Sequence, residues 1–232
     1  PDVHEYKRQR LTSLPVGEGT RGTIGLPLAL GMYELAPLWH ALFTALGFRV
    51  QLTGLSTKKL YAKGQYSIPS DTVCYPAKLM HGHIAALLEQ KVDAIFYPRL
   101  TYNVDEHGGD NHYNCPVVAY YSDLLAGNMD ELKNTVFLYP YLNINAPGPL
   151  ANELYRSLNG KVGTFTKKEI KAAVKAGFAA YEAYMSDVRA QAETAIEWAR
   201  ARGKRMMVLA GRPYHIDAEI GHSIDKLAAS LG

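Results

Sequence analysis

The sequence predicts an α/β protein with a parallel sheet and helices on both of its faces, and three observations carry that prediction. From Thr23 to Leu138, short apolar runs alternate with segments of helical period. Val92–Tyr97 is a nearly continuous apolar run, as a strand covered on both faces requires. Near its end the chain repeats the strand–Gly-x-Pro–helix pattern with which it opens.

Residues 1–20 are charged and end in Gly and Pro, and read as a lead-in. Gly17-Glu-Gly19-Thr-Arg-Gly22 spells GxGxxG, but it precedes the first strand. A pyrophosphate cradle must follow a strand and open a helix, so the match carries no function. Thr23–Leu26 is the first strand, closed by Pro27. Leu35, Leu38, Trp39, Leu42, Phe43 and Leu46 then mark one face of a helix over 32–46, ended by Gly47. Phe48–Thr53 is a second strand, and Ser56-Thr57 caps a short helix reaching about Ala62. Tyr75–Glu89 is a helix with Pro76 in its first turn, where a missing N–H costs nothing. Strands are expected at Val92–Tyr97, Pro116–Tyr121 and Thr135–Leu138. Thr166-Lys-Lys-Glu169 is a capping box. Apolar residues then recur every three or four positions to Ala195, so one long helix runs towards Gly203, with Gly177 a candidate bend. Its length suits a connector. Pro27 to Gly47 spans 20 positions and Pro213 to Gly232 spans 19, which makes Lys204–Gly232 the opening strand and helix of a second unit. The expected division is a lead-in (1–20), an α/β domain (21–150), a helical connector (151–203) and the start of a second α/β domain (204–232).

Composition narrows the function classes. The 232 residues are 47% hydrophobic and 20% charged, as in a globular protein. Net charge is +3 with a pI near 8.7, and the charges are scattered, so nucleic acid is not an expected partner. No apolar run reaches the roughly 20 residues of a membrane helix, and no signal-peptide pattern is visible. Two cysteines form no disulfide framework, and a reducing cytoplasm is the expected setting. There is no GxxxxGK[ST], GxSxG or HExxH.

In parallel α/β sheets, ligands bind beyond the carboxyl ends of the strands. Both cysteines fall in such loops. Cys74 stands just before a helix N-terminus, which favours a thiolate; a small buried cysteine is the plainer alternative. Cys115 stands at the mouth of the strand expected at 116–121. Together they are two short of the four thiolates of an iron–sulfur cubane. Lys78 and His81 share the helical face of Cys74 and are candidates to line its pocket, with ordinary surface residues as the alternative. His81 and His83 lie two apart on a helix and do not chelate as a pair. Arg212 and His215 follow the last expected strand and face the cleft between the two units, whereas Asp217 is expected to cap the helix after it. His107, His112 and Cys115 suggest a zinc site, but at no standard spacing; a polar loop fits them better.

Five strings, IGLPLALGMYELAPLWHALFTALGF, IPSDTVCYPAKLMHGHI, VDAIFYPRLTY, DNHYNCPVV and LAGRPYHID, resemble in order the motifs of acyl-CoA dehydratase activase-related proteins. These belong to the 2-hydroxyacyl-CoA dehydratase/activator superfamily, and the resemblance covers nearly the whole chain. It implies a Rossmann-like α/β region akin to the dehydratase subunits, which hold a [4Fe-4S] cluster by loop cysteines at a domain cleft. By that resemblance Cys74 and Cys115 are cluster ligands, and a further cysteine is expected from a later domain. The implied partners are an activator-type ATPase domain, in the same or another chain, and an acyl-CoA substrate. The implied role is ATP-gated electron transfer, with this piece alone not expected to be active. The alternative from another class is a docking or regulatory domain without a cluster.

Overall fold

The computed structural model describes residues 1–231. In chain order the elements are α1 (Val3–Thr12), β1 (Thr23–Leu26), α2 (Met32–Ala45), β2 (Arg49–Leu52), α3 (Lys58–Gly64), α4 (Tyr75–Glu89), β3 (Ala94–Phe96), α5 (Pro116–Asn128), β4 (Val136–Leu138), α6 (Pro147–Leu158), α7 (Lys167–Ala201) and α8 (Ile224–Ser230). The four strands are all parallel, in the order β2-β1-β3-β4. This is a Rossmann-like α/β fold. Strand order reverses between β1 and β3, the position where a crevice opens at the carboxyl edge of such sheets.

The core lies where α2 meets the sheet. Trp39 and Phe43 set their rings edge-on to Phe96 of β3, with centroids 5.0 and 4.8 Å away, the arrangement that aromatic quadrupoles prefer. On α4's side, Gly25 of β1 leaves room for Leu87 and Val92. The capping box forms as expected: Thr166 Oγ1 accepts from the Glu169 N–H, and the Glu169 carboxylate accepts from the Thr166 N–H. The 35-residue α7 packs along α2 and α6, and Gly177 is a point of close approach. A Cβ there would lie 2.8 Å from the Leu38 carbonyl. Beyond Val188, Ala199 alone of the α7 residues is buried, so the far end of the helix stands clear of the core.

Three segments differ from the sequence reading. Residues 3–12, read as lead-in, form α1, capped by Asp2 and held by buried Leu11 and Arg8. Pro116–Tyr121, read as a strand, opens α5. The apolar VVAYY run fits either period, and Pro116 at the first helical position settles it as helix. Lys204–Ala210 has no strand partner among the described residues, because a β-strand needs a neighbour and none is beside it. Val208 is 90% exposed and Met207 69%.

Candidate functional site

Helices joining parallel strands run antiparallel to them, so α4 and α5 begin at the carboxyl edge of the sheet. Each begins with a cysteine. Cys74 is the N-cap of α4 and Cys115 the N-cap of α5, both in extended backbone, and each helix carries a proline in its first two positions. Cys115, expected at a strand mouth, therefore caps a helix, and its Sγ accepts from the Val118 N–H at 3.4 Å. Cys74 is exposed and Cys115 half-buried; both are free thiols.

Three tyrosines surround the pair. Burial, then Cys115 and Cys74, raises the Tyr214 hydroxyl above its ordinary pKa, which places one side chain within electrostatic reach of both sulfurs. Burial and then Cys74 push Tyr121 up to about 12. Burial, Tyr121 and Cys115 raise Tyr97. The Tyr97 hydroxyl is buried and has no hydrogen-bond partner among the described residues. Tyr214 is the functional candidate that sequence reasoning passed over. Its one signal was its place between Arg212 and His215, lost among 16 tyrosines.

The other expected pocket residues divide. Lys78 donates from Nζ to the Asp71 carbonyl at 2.8 Å, tied to the loop before its own helix. His81 does not line a pocket. It is fully buried, with Nδ1 2.8 Å from Ser67 Oγ and Nε2 2.9 Å from Tyr121 Oη. His83 is equally buried, between Thr53 Oγ1 at 2.5 Å and Ser56 Oγ at 2.9 Å. Desolvation lowers the two pKa values to about 4 and about 3, so both rings are neutral at pH 7. Gly82 between them lets α3 cross α4: a Cβ there would lie 2.1 Å from the Leu60 carbonyl oxygen. The His-Gly-His string thus holds flanking loops rather than a ligand.

A cubane takes four thiolates as a rule, and the two cysteines fit half of that donor set. Among the described residues no three His, Cys, Asp or Glu side chains gather to hold a metal ion. His107 and His112 approach Asp105, at 3.4 and 3.9 Å, without Cys115 joining them, so the zinc trio does not assemble.

Residues 23–232 match the family model described as the CoA enzyme activase uncharacterised domain. The chain belongs to this family. No curated protein and no solved structure matches it.

In this CoA enzyme activase domain, the segment after α7 folds back onto the carboxyl edge of the sheet. Asp217, expected to cap the last helix, is instead buried and closes the turn at 213–216. Its Oδ2 accepts from the Tyr33 hydroxyl and, at 2.9 Å, from the Ser56 N–H, while Oδ1 accepts from the Glu219 N–H at 2.8 Å. Burial raises its carboxyl above the usual range. Arg8 of α1 is buried beside it, donating to the Ile216 carbonyl at 2.8 Å and to Asp225 and Glu5. Between this segment, α1, α7 and the start of α2 lies a cleft of about 570 Å³. Arg212 and His215 line it, with Glu34 at the start of α2 and Glu106 from the loop after β3, although it is not a cleft between two sheets. Neither cysteine lines it.

Proposed function

We propose that this domain is the cysteine-bearing part of an ATP-activated electron-transfer system of the 2-hydroxyacyl-CoA dehydratase type, with Cys74 and Cys115 supplying two thiolates to a [4Fe-4S] cluster. The observation that carries this reading is the equivalence of the two cysteines. Both are N-caps of successive helices at one sheet edge, and one tyrosine lies within reach of both. When bound, such a cluster supplies a one-electron carrier. The chain's own residues hold negative charge there. The amino ends of α4 and α5 carry partial positive charge and free N–H groups, which favour thiolates. The unpaired Tyr97 hydroxyl is a donor available to sulfur. Tyr214 stands within electrostatic reach of both sulfurs and Tyr121 within reach of Cys74. The remaining ligands, an activator-type ATPase and an acyl-CoA acceptor belong to the same proposal. So does the reading of 204–232 as the opening of a second α/β unit, which the bare strand-like run at Met206–Val208 supports. The cytoplasm is the compartment where such chemistry fits.

Exposed Met206, Met207, Val208, Ile224 and Leu227 also favour a second reading, a docking domain that carries no metal. Because this chain supplies only two of the ligands, anaerobic incubation of the full-length protein with ferrous iron and sulfide separates the two. The redox reading expects bound iron and sulfide with broad visible absorbance, lost in both Cys74→Ser and Cys115→Ser. Iron uptake by the wild type no greater than that of the double variant sinks it and leaves the docking reading.

A further inference from the structure

We infer that the cleft between α1, α2, α7 and the segment 208–225 is a binding site for a small organic anion with an apolar body, separate from the cysteines. The argument is one of charge that is left over. Five acidic or basic groups on its walls carry formal charge. Asp225 is paired with Arg8. Glu106 lies 3.5 Å from Arg189. Glu34 accepts from the Asn103 amide at 2.7 Å. Lys7 and Arg212 are the remaining two, and neither has an ion-pair partner among the described residues. The walls therefore present two cations without an ion-pair partner against one carboxylate, Glu34, whose charge is not paired either, which leaves a surplus of one positive charge.

A third donor stands beside them. The His215 ring folds over Gly211, where a Cβ would come within 2.3 Å of Nδ1. That nitrogen accepts from the Arg212 N–H at 3.1 Å, so the neutral ring carries its proton on Nε2, free to donate. The arrangement requires glycine at 211. Val208, Ile220 and Ile224 add apolar wall, and about 570 Å³ falls within the size range of small-molecule sites. The cleft also sits where ligands collect in such folds, since Glu34 follows β1 and Glu106 follows β3, the strands that flank the reversal of order. A guanidinium fork, an ammonium and an imidazole N–H suit a carboxylate or a phosphate ester equally.

The test is a titration of the isotope-labelled chain with hexanoate, followed by amide chemical shifts, with hexanamide as the uncharged match. Hexanoate is expected to move the amides of Glu34 and 208–215 and to saturate, whereas hexanamide leaves them in place. Arg212→Gln and Lys7→Gln each weaken hexanoate about tenfold. Glu34→Gln removes the nearest opposing charge and tightens it several-fold. Spectra of the variants outside the cleft report that they remain folded. Hexyl phosphate in the same titration tells the two ligand classes apart, the tighter binder naming the class. Equal shifts with hexanamide, shifts scattered over the surface, or charge variants that leave the affinity unchanged overturn the inference. It stands apart from the cluster proposal, because Cys74→Ser and Cys115→Ser are expected to leave the titration as it is.

Discussion

His81 and His83 sit two residues apart on α4, and each ring has a hydroxyl at both nitrogens. Ser67 spends its hydroxyl proton on the Gly64 carbonyl at 2.9 Å, so it accepts from His81 Nδ1–H and leaves Nε2 to accept from Tyr121. His83 sets Nδ1 against Thr53 Oγ1, which also accepts from the Leu28 N–H at 2.9 Å, and Nε2 against Ser56 Oγ. A second proton on either ring breaks one of these bonds in a site that water does not reach. Below the ordinary value of 6.5, the unfolded chain takes up protons that the folded rings refuse down to about 4 and about 3. Acidification through that window therefore favours unfolding, by up to about 1.4 kcal/mol per pH unit for each ring. Asp217 and Glu34, raised by burial, act with the opposite sign. Urea midpoints of the wild type and of His83→Gln, compared from pH 7 to pH 4.5, isolate the histidine. The variant's stability is expected to fall less steeply, and parallel slopes would show that His83 already carries its charge in the fold. At this scale the sequence was legible only in part. Its spacing argument set the two histidines apart, and the structure gives each ring its own partners. It could not reveal Ser67 or Tyr121, which reach His81 from other elements, and so it placed His81 in a pocket.

The contact between α3 and α4 is made by backbone rather than by side chains. Gly64 lies against the His81–Gly82 peptide and Gly82 against Leu60, with built Cβ atoms at 2.2 and 2.1 Å from main-chain atoms. Gly82→Ala would gain helix propensity, worth up to about 1 kcal/mol. It would also force the helices apart, at a cost of about 3 kcal/mol. A net loss near 2 kcal/mol is expected in denaturant unfolding, accompanied by loosened packing of the His83 ring; an unchanged or raised midpoint would mean that the crossing is slack. Elements whose signals are local were read to the residue or nearly so: α4 from Pro76 and Gly-free periodicity up to Gly82, α7 from its capping box, β1 from Pro27. Elements decided by distant contacts were not. α5 and a strand offer the same apolar run, and α1 has too little apolar surface to announce itself. Its burial of Arg8 makes sense only with Asp225 and the Ile216 carbonyl in view. The cysteine pair was legible as two loop residues. Their equivalence as N-caps appeared only once α5 was known to be a helix.

Helix α1 and the segment after α7 close on each other. Removing the Arg8 side chain leaves a buried carboxylate at Asp225 and a bare carbonyl at Ile216, a change of the kind that costs about 3–5 kcal/mol. Arg8→Ala is therefore expected to free 211–231 while sparing the sheet. Faster amide exchange and early tryptic cleavage at Lys226 would report it, and a uniform loss of protection across β1–β4 would refute so local an effect. The same closure bears on how the protein is made. Arg8 leaves the ribosome well ahead of its partners, which lie 208 and 217 positions later. Until Ile216 and Asp225 have emerged, α1 has no counter-charge to dock on, whereas the sheet and its helices can assemble from shorter-range pairings. The nascent chain must then hold a solvated Arg8 in waiting, and the cleft beside it comes into being only after the sheet that carries it.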